Sequence, residues 1–343
     1  MGDKHRIRFE PVGIEIEADE DETVLDAAFR QGVNLMHGCK EGQCSSCKSF
    51  LLDGDQQMER YSTFALADYE SEEGYVLLCR THAYGDLSVE LLNYDEEMLL
   101  SGIPPRQARA TVAAVQPLTH DITRLVLDVD SRDELPYRTG QYVDIEVPGT
   151  DQRRSFSMAG LPAEGPGGRL EFIIKRYPGG MFSGLLDGAL GPGDPLTVKG
   201  PYGTCVMRDA PGRDLILLAG GAGMAPILAQ LRGLAAAGSP RRTRFYYGAR
   251  TERDLFALDE IAELGAQIPD FAFVAALSED ASGGYEQGLI TEVVDRHEGD
   301  LSGADAYLCG PPPMCDAATE LLTGKGMPEE RIFLDKFTTS TDT

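Results

Sequence analysis

Apolar and polar residues alternate from Arg6 to Ile16 (RIRFEPVGIEI) like two strands folded at a turn near Pro11–Gly13. Thr23–Gln31 follows with the spacing of a short amphipathic helix, and Tyr75–Arg80 (YVLLCR) and Leu87–Leu92 read as strands. This predicts a small β-rich unit with one helix. An acidic stretch from Asn93 leads into SGIPPRQ, where Pro104–Pro105 marks a linker. Beyond it, Ala108–Val115, Asp121–Val129, Gln141–Val147, Arg153–Met158, Leu170–Arg176 and Pro195–Lys199 are short strands separated by Gly/Pro turns, the spacing of an antiparallel barrel.

From Arg213 the period changes. Strand-like Leu215–Ala219, Phe245–Ala249, Phe271–Leu277, Ala306–Gly310 and Ile332–Phe337 alternate with helical Pro226–Ala237, Leu255–Leu264, Leu289–Arg296 and Met314–Leu322. Repeated strand–helix–strand units predict a mostly parallel sheet. The expected organisation is a first domain over residues 1–97, a linker over 98–106, a barrel over 107–210 and an α/β domain over 211–343.

Composition narrows the function classes. The 343 residues carry a net charge of −25, which argues against nucleic acid or an anionic membrane as partner. No run approaches the roughly 20 apolar residues of a membrane span, and MGDKHRIRFE lacks the apolar core of a secretory leader, so a soluble cytoplasmic protein is expected. Residues 1–100 hold 22 Asp/Glu against 8 Lys/Arg. An acidic first domain suits a basic protein partner, with Asp68, Glu70, Glu72, Glu73 and Asp86 as contact candidates, although solubility alone also explains it.

Seven cysteines in a chain expected to stay cytoplasmic argue against a disulfide framework. Cys39, Cys44 and Cys47 are spaced C-x4-C-x2-C, and Cys79 lies 32 residues beyond Cys47. Zinc sites pair short spacings twice, whereas this pattern is that of plant-type [2Fe–2S] ligation, favoured here over zinc or a thiol-redox pair. Gly38 and Gly42 let the backbone curl so that amide groups face sulfur. His37 reads as packing or surface.

Two further constellations point to cofactors. In RRSFSMA (Arg153–Ala159), Arg154 suits a flavin phosphate, Phe156 the flavin or its ribityl chain, and Ser157 a hydrogen bond near the flavin N5, with Met158 following. In IIKRYPGGMFSGLL (Ile173–Leu186), Lys175 ends a strand, Gly179–Gly180 turn the chain, and Met181, Phe182 and Ser183 start a helix suited to a pyrophosphate. LILLAGGAGMAPILAQL (Leu215–Leu231) is a buried strand, a glycine turn with Gly221 and Gly223, and a helix opened by Met224 with Pro226 in its first turn. It departs from G-x-G-x-x-G but shares its mechanics at a pyrophosphate. YLCGPPPM (Tyr307–Met314) sets Cys309, Gly310 and Pro311 at a strand's carboxyl end, where open α/β sheets bind ligands, although a plain core thiol also explains Cys309. Cys205 and Cys315 read as structural. GARTERD (Gly248–Asp254) offers Arg250 and Arg253 but also Glu252 and Asp254, leaving NADH and NADPH both open.

With CKEGQCSSCK, VLLCRT, the flavin segment, GGAGMAP, YLCGPPPM and LDKF (Leu334–Phe337) in this order, the whole chain resembles the reductase components of soluble methane monooxygenase and related bacterial diiron alkane, alkene and phenol monooxygenases. The resemblance implies a plant-type ferredoxin (β-grasp) domain, an antiparallel β-barrel FAD domain and a parallel-sheet α/β NAD domain. It implies ligation by Cys39, Cys44, Cys47 and Cys79, and FAD contacts by Arg154, Phe156, Ser157, Gly180 and Ser183. It further implies NADH contacts around Gly221, Gly223, Pro226, Cys309 and Gly310, with Phe337 beside the flavin ring and Ser157, Cys309 and Phe337 nearest the chemistry. The implied activity passes electrons from NADH through FAD and the cluster to a diiron hydroxylase. A reductase for a Rieske-type aromatic dioxygenase, or a redox sensor without turnover, are the competing readings. Three departures stand out: Phe156 replaces the usual Tyr, Pro313 a glycine, and Asp335 a Glu.

Overall fold

The computed structural model describes residues 2–163, 165–279 and 284–338. The chain divides into two compact units, Met1–Pro105 and Arg106–Thr343.

The first unit contains strands β1 (Lys4–Glu10), β2 (Ile14–Asp19), β3 (Lys48–Asp53), β4 (Gln56–Met58), β5 (Tyr75–Leu77), β6 (Thr81–Ala83) and β7 (Leu87–Leu91). Helices α1 (Val24–Arg30), α2 (Asp68–Glu73) and α3 (Glu96–Leu99) are interspersed. The main sheet has the order β2-β1-β7-β3-β5 with β1 parallel to β7, while β4 pairs only with β6. This is the β-grasp arrangement. The Thr23 hydroxyl accepts from the Asp26 N–H and so caps α1, which buries Val24, Leu25, Ala27, Ala28 and Phe29. The expected single helix is therefore joined by two short ones, too polar in α2 and too brief in α3 to register as a helical period. The YVLLCR strand ends at Leu77, so Cys79 sits in the turn that follows, where the Arg80 N–H donates to Leu77 O at 2.8 Å. Residues 98–102 of the expected linker pack on this unit: Met98 and Leu99 are buried, and Leu99 O accepts from the Asn34 N–H.

The second unit opens with six strands: β8 (Arg106–Pro117), β9 (Ile122–Val129), β10 (Tyr142–Glu146), β11 (Arg153–Ser157), β12 (Arg169–Lys175) and β13 (Pro195–Tyr202). Their order is β11-β10-β13-β8-β9-β12, and a bridge between Met158 and Phe172 closes the antiparallel barrel. Its interior is filled by Leu125, Leu127, Val143, Ile145, Met158, Phe172 and Phe182, among others.

A parallel sheet follows. It contains β14 (Asp214–Gly220), β15 (Thr243–Ala249), β16 (Phe271–Leu277), β17 (Glu286–Gln287), β18 (Ala304–Gly310) and β19 (Ile332–Lys336), ordered β17-β16-β15-β14-β18-β19. Helices α4 (Met224–Ala237), α5 (Leu258–Gly265), α6 (Ile290–His297) and α7 (Pro312–Gly324) cover it. Leu215, Leu217 and Ala219 face one helical layer while Ile216 and Leu218 face the other. Burial on both faces explains the unbroken apolar run LILLA. Pro312 and Pro313 are the first two residues of α7, where a missing N–H costs nothing, so the departure from glycine at 313 fits the turn. Sheet order reverses between β14 and β18, the switch point at which such folds bind ligands. Among the described residues no helix is long and apolar enough to cross a membrane.

Candidate cluster loop and nucleotide cavity

In the first unit, the chain between Cys39 and Cys47 turns left-handed three times, at Lys40 (φ 57°), Gly42 (φ 69°) and Ser45 (φ 59°). These turns aim main-chain N–H groups inward. Cys39 Sγ accepts from the N–H groups of Glu41 (3.4 Å) and Gln43 (3.2 Å), and Cys44 Sγ from that of Cys39 (3.2 Å). The Ser46 hydroxyl lies 3.3 Å from Cys44 Sγ. The thiols of Cys39 and Cys44 are hydrogen-bonded to each other, as are those of Cys47 and Cys79. Within each pair one sulfur is stabilised as thiolate by the other's proton. The Cys39 hydrogen bond holds Cys44 below its ordinary pKa, and that of Cys79 does the same for Cys47, while Cys39 and Cys79 rise.

Space is equally restricted. A Cβ on Gly38 would sit 2.9 Å from Cys44 Sγ, and one on Gly42 would sit 2.9 Å from Tyr61 Cβ besides requiring the unfavourable φ. Four converging soft donors with amide groups directed at them fit a [2Fe–2S] cluster. His37 is a core residue: its Nδ1 lies 2.7 Å from Leu35 O and its ring stands edge-on to Phe29. Of the acidic residues, Asp68, Glu72, Glu73 and Asp86 are exposed. The Glu70 carboxylate instead accepts from Lys48 Nζ (2.8 Å) and from the Ala67 N–H (3.0 Å), and Asp86 accepts from the Arg6 N–H.

In the second unit, β11 presents Arg154 and Phe156 half-buried and Ser157 buried. Phe156 leans on Phe182 with ring centroids 4.9 Å apart, and the Ser157 hydroxyl donates to Asp335 Oδ2 at 3.2 Å. Arg154 reaches toward exposed Met181. Gly180 is held against Ser183, where a Cβ would come within 2.2 Å of the hydroxyl. An arginine, a propped aromatic face and a glycine turn fit a flavin nucleotide. Two details differ from the expected cradle. Met158 and Phe182 turn their side chains into the barrel core, so only their main chains face outward. The expected helix at Ser183 is a five-residue 3-10 turn (Ser183–Asp187), because glycines at 179, 180, 184 and 188 interrupt any longer period. The N–H groups of Gly184 and Leu185 are bonded to Gly180 O and Phe182 O.

The glycine turn after β14 is a 3-10 turn over Gly221–Gly223, leading directly into α4. Gly223 packs against the end of β18 so closely that a Cβ would lie 1.9 Å from Cys309 O. A cavity of about 650 Å³ opens there. Gly221, Tyr247, Arg250, Pro311 and Phe337 line it from the parallel sheet, and Ile122, Lys175 and Tyr177 from the barrel. A wall of glycine main chain and aromatic rings suits a dinucleotide. Phe337 is fixed by its N–H to Gly310 O (2.8 Å). Met224 and Pro226 are buried in α4 and shape the turn from behind.

Cys309 does not line the cavity. Its side chain is fully buried with Sγ 3.9 Å from Cys205 Sγ, and burial and Cys205 push the thiol well above its ordinary pKa, so it stays protonated. Ile122 opens β9, Tyr247 lies within β15 and Tyr177 follows β12 by two residues; nothing in the local pattern of any of them marks a cavity wall. In GARTERD, Arg250 and Asp254 line the cavity 3.8 Å from each other, whereas Arg253 and Glu252 lie outside it.

A four-cysteine loop on a β-grasp unit, followed by a flavin-type barrel and a parallel nucleotide sheet, defines an iron–sulfur flavoprotein oxidoreductase. Family models agree: a 2Fe-2S iron-sulfur cluster binding domain matches residues 7–84, an oxidoreductase FAD-binding domain 109–207 and an oxidoreductase NAD-binding domain 217–320. The chain is 52% identical to the propane 2-monooxygenase reductase component of Mycolicibacterium goodii, covering 98% of each. It is 33% identical to the toluate 1,2-dioxygenase electron transfer component of Pseudomonas putida, covering 95% of each. The crystal structure of Amycolatopsis cytochrome P450 reductase GcoB matches with a TM-score of 0.88 at 29% identity, over 98% of this chain and 100% of that one. The chain belongs to the family of NADH-dependent, FAD- and [2Fe–2S]-containing reductase components of multicomponent oxygenases. Its activity is electron transfer from NADH to an oxygenase component.

Proposed function

We propose that this reductase serves the diiron hydroxylase of a soluble alkane monooxygenase of the propane type. The observation that carries the reading is the level of similarity: 52% identity over 98% of a propane 2-monooxygenase reductase, against 33% for the dioxygenase component. Cys39, Cys44, Cys47 and Cys79 hold the cluster. Arg154, Phe156, Ser157, Gly179, Gly180, Met181 and Ser183 border the FAD, and Gly221, Gly223, Gly310, Pro311 and Phe337 border the NADH. Met1–Pro105 is the cluster domain, and residues 107–210 and 211–343 are the flavin and nucleotide domains. Seven free cysteines suit the reducing cytoplasm as the place of action.

When bound, the cofactors supply hydride acceptance from NADH and one-electron exit to the partner. The chain positions and protects them. Phe337, held by its N–H to Gly310 O, would pack beside the flavin ring. Ser157 keeps its proton between itself and Asp335, offering a polar atom beside the reacting ring. Cys309 contributes its carbonyl end, which seats Gly223, rather than a reactive thiol.

Reconstitution tests the partner. NADH-driven propane oxidation with a propane-type diiron hydroxylase and its other components, and none with a Rieske oxygenase, is expected. Turnover with the Rieske oxygenase alone would replace this reading with its competitor.

A further inference from the structure

A network of two arginines and two glutamates joins the barrel to the parallel sheet of the second unit. Arg232, on α4, sends Nη1 to Glu171 Oε2 (3.0 Å) and to Ala159 O (2.8 Å), and Nε to Glu260 Oε1 (2.8 Å). Arg124, on β9, reaches the same carboxylates: Nη2 donates to Glu260 Oε2 at 3.1 Å, and Nε lies 3.1 Å from Glu171 Oε1, outside hydrogen-bonding angles. Glu171 belongs to β12 and Glu260 to α5, so each carboxylate bridges one arginine of the barrel and one of the nucleotide layer.

The side chains are only 17–28% exposed, which shields the network from the screening that makes surface pairs weak. A partly buried array of alternating charges also has a steep geometric preference, since displacing one member leaves its partners desolvated and unpaired.

Its attachment points matter more than its strength. Helix α4 starts at the Gly221–Gly223 turn, and Arg232 lies eight residues beyond Met224, about 12 Å along a stiff rod. Ala159 follows Ser157 by two residues, just past the end of β11. Arg232 thus ties the helix that carries the nucleotide turn to the chain segment that carries Ser157. Arg124 stands two residues from Ile122, a wall of the cavity. We propose that Arg232 is a positioning residue for hydride transfer: with Arg124, Glu171 and Glu260 it sets the distance between the nicotinamide and flavin sites without touching either cofactor. The inference rests on the NADH and FAD placement proposed above.

The test uses full-length, cofactor-loaded Arg232→Met, Arg232→Lys and Glu260→Gln proteins. Anaerobic stopped-flow mixing with NADH gives the limiting rate of flavin bleaching and the long-wavelength charge-transfer absorbance that reports ring stacking. NAD+ affinity, FAD and iron content, and Tm are measured alongside. Arg232→Met is expected to slow the limiting rate about tenfold or more and to weaken the charge-transfer band. NAD+ affinity and FAD content should stay within about twofold, and Arg232→Lys should recover part of the rate. An unchanged rate and band in loaded Arg232→Met would overturn the proposal. So would a parallel fall of rate, FAD content and Tm with no recovery by lysine, which marks a purely structural role. Should Arg232→Met not fold, Glu260→Gln decides by the same criteria. A wild-type flavin left oxidised by NADH would instead overturn the underlying cofactor reading.

Discussion

The cluster loop and the nucleotide cavity solve the same problem, holding a cofactor, by opposite means. Cys39, Cys44, Cys47 and the amide groups aimed at them come from nine consecutive residues, with Cys79 alone from a distance. Three left-handed residues and two crowded glycines fix their positions locally. The cavity gathers its walls from Asp121 to Thr338, across a barrel and a parallel sheet. There the position of a side chain follows from how two layers pack, and a contact such as Ser157 to Asp335 spans 178 residues. A local site should therefore fail locally, whereas an assembled site should respond to changes well outside it.

The largest test of that contrast removes a sulfur. Cys44→Ser should lower electron transfer to an external acceptor protein by about a hundredfold or more, while flavin bleaching by NADH stays near wild type. Iron content and the two rates check this; equal loss of both rates would break the contrast. Next, Gly223→Ala forces a methyl group into Cys309 O, at an overpacking cost of about 1–3 kcal/mol. It should raise the Kd for NADH and lower Tm while iron content is unaffected, as titration and iron assay would show.

Gly42→Ala probes the local site more gently, since a left-handed alanine costs about 1–2 kcal/mol before its contact with Tyr61 is counted. Reduced cluster occupancy with normal NADH binding is expected. The smallest effect concerns the surface. Neutralising Glu72 and Glu73 together to Gln should slow reduction of the partner hydroxylase a few-fold at low salt, and the difference should vanish as salt rises. Kinetics across an ionic-strength series would reveal it, and a salt-independent difference would count against electrostatic docking.

The same contrast explains what sequence reasoning could reach. The ligand spacing, the barrel strands and the strands and helices after Arg213, apart from the two-residue β17, were legible, because each is a local period or a fixed interval. Cys79 as a turn residue was not, since YVLLCR reads as one apolar run and only the Arg80–Leu77 hydrogen bond ends it. Cys309 looked like a crevice thiol from its place at a strand's end. Burial against Cys205, 104 residues earlier, turns it away. Arg232 carried no signal at all. An arginine within an alanine- and leucine-rich helix resembles a solvated position until the fold brings Glu171 and Glu260 to it.

The central claim, that electrons from NADH leave by way of the cysteine loop, is tested most directly by rapid freezing after anaerobic mixing of the loaded protein with NADH. Flavin absorbance and the paramagnetic signal of the reduced [2Fe–2S] cluster are then followed in the same samples. Flavin bleaching is expected to precede the cluster signal, and Cys44→Ser to abolish the signal while bleaching persists. A cluster signal that rises before bleaching, or a cluster that stays oxidised beside fully reduced flavin in the wild type, would contradict the claim.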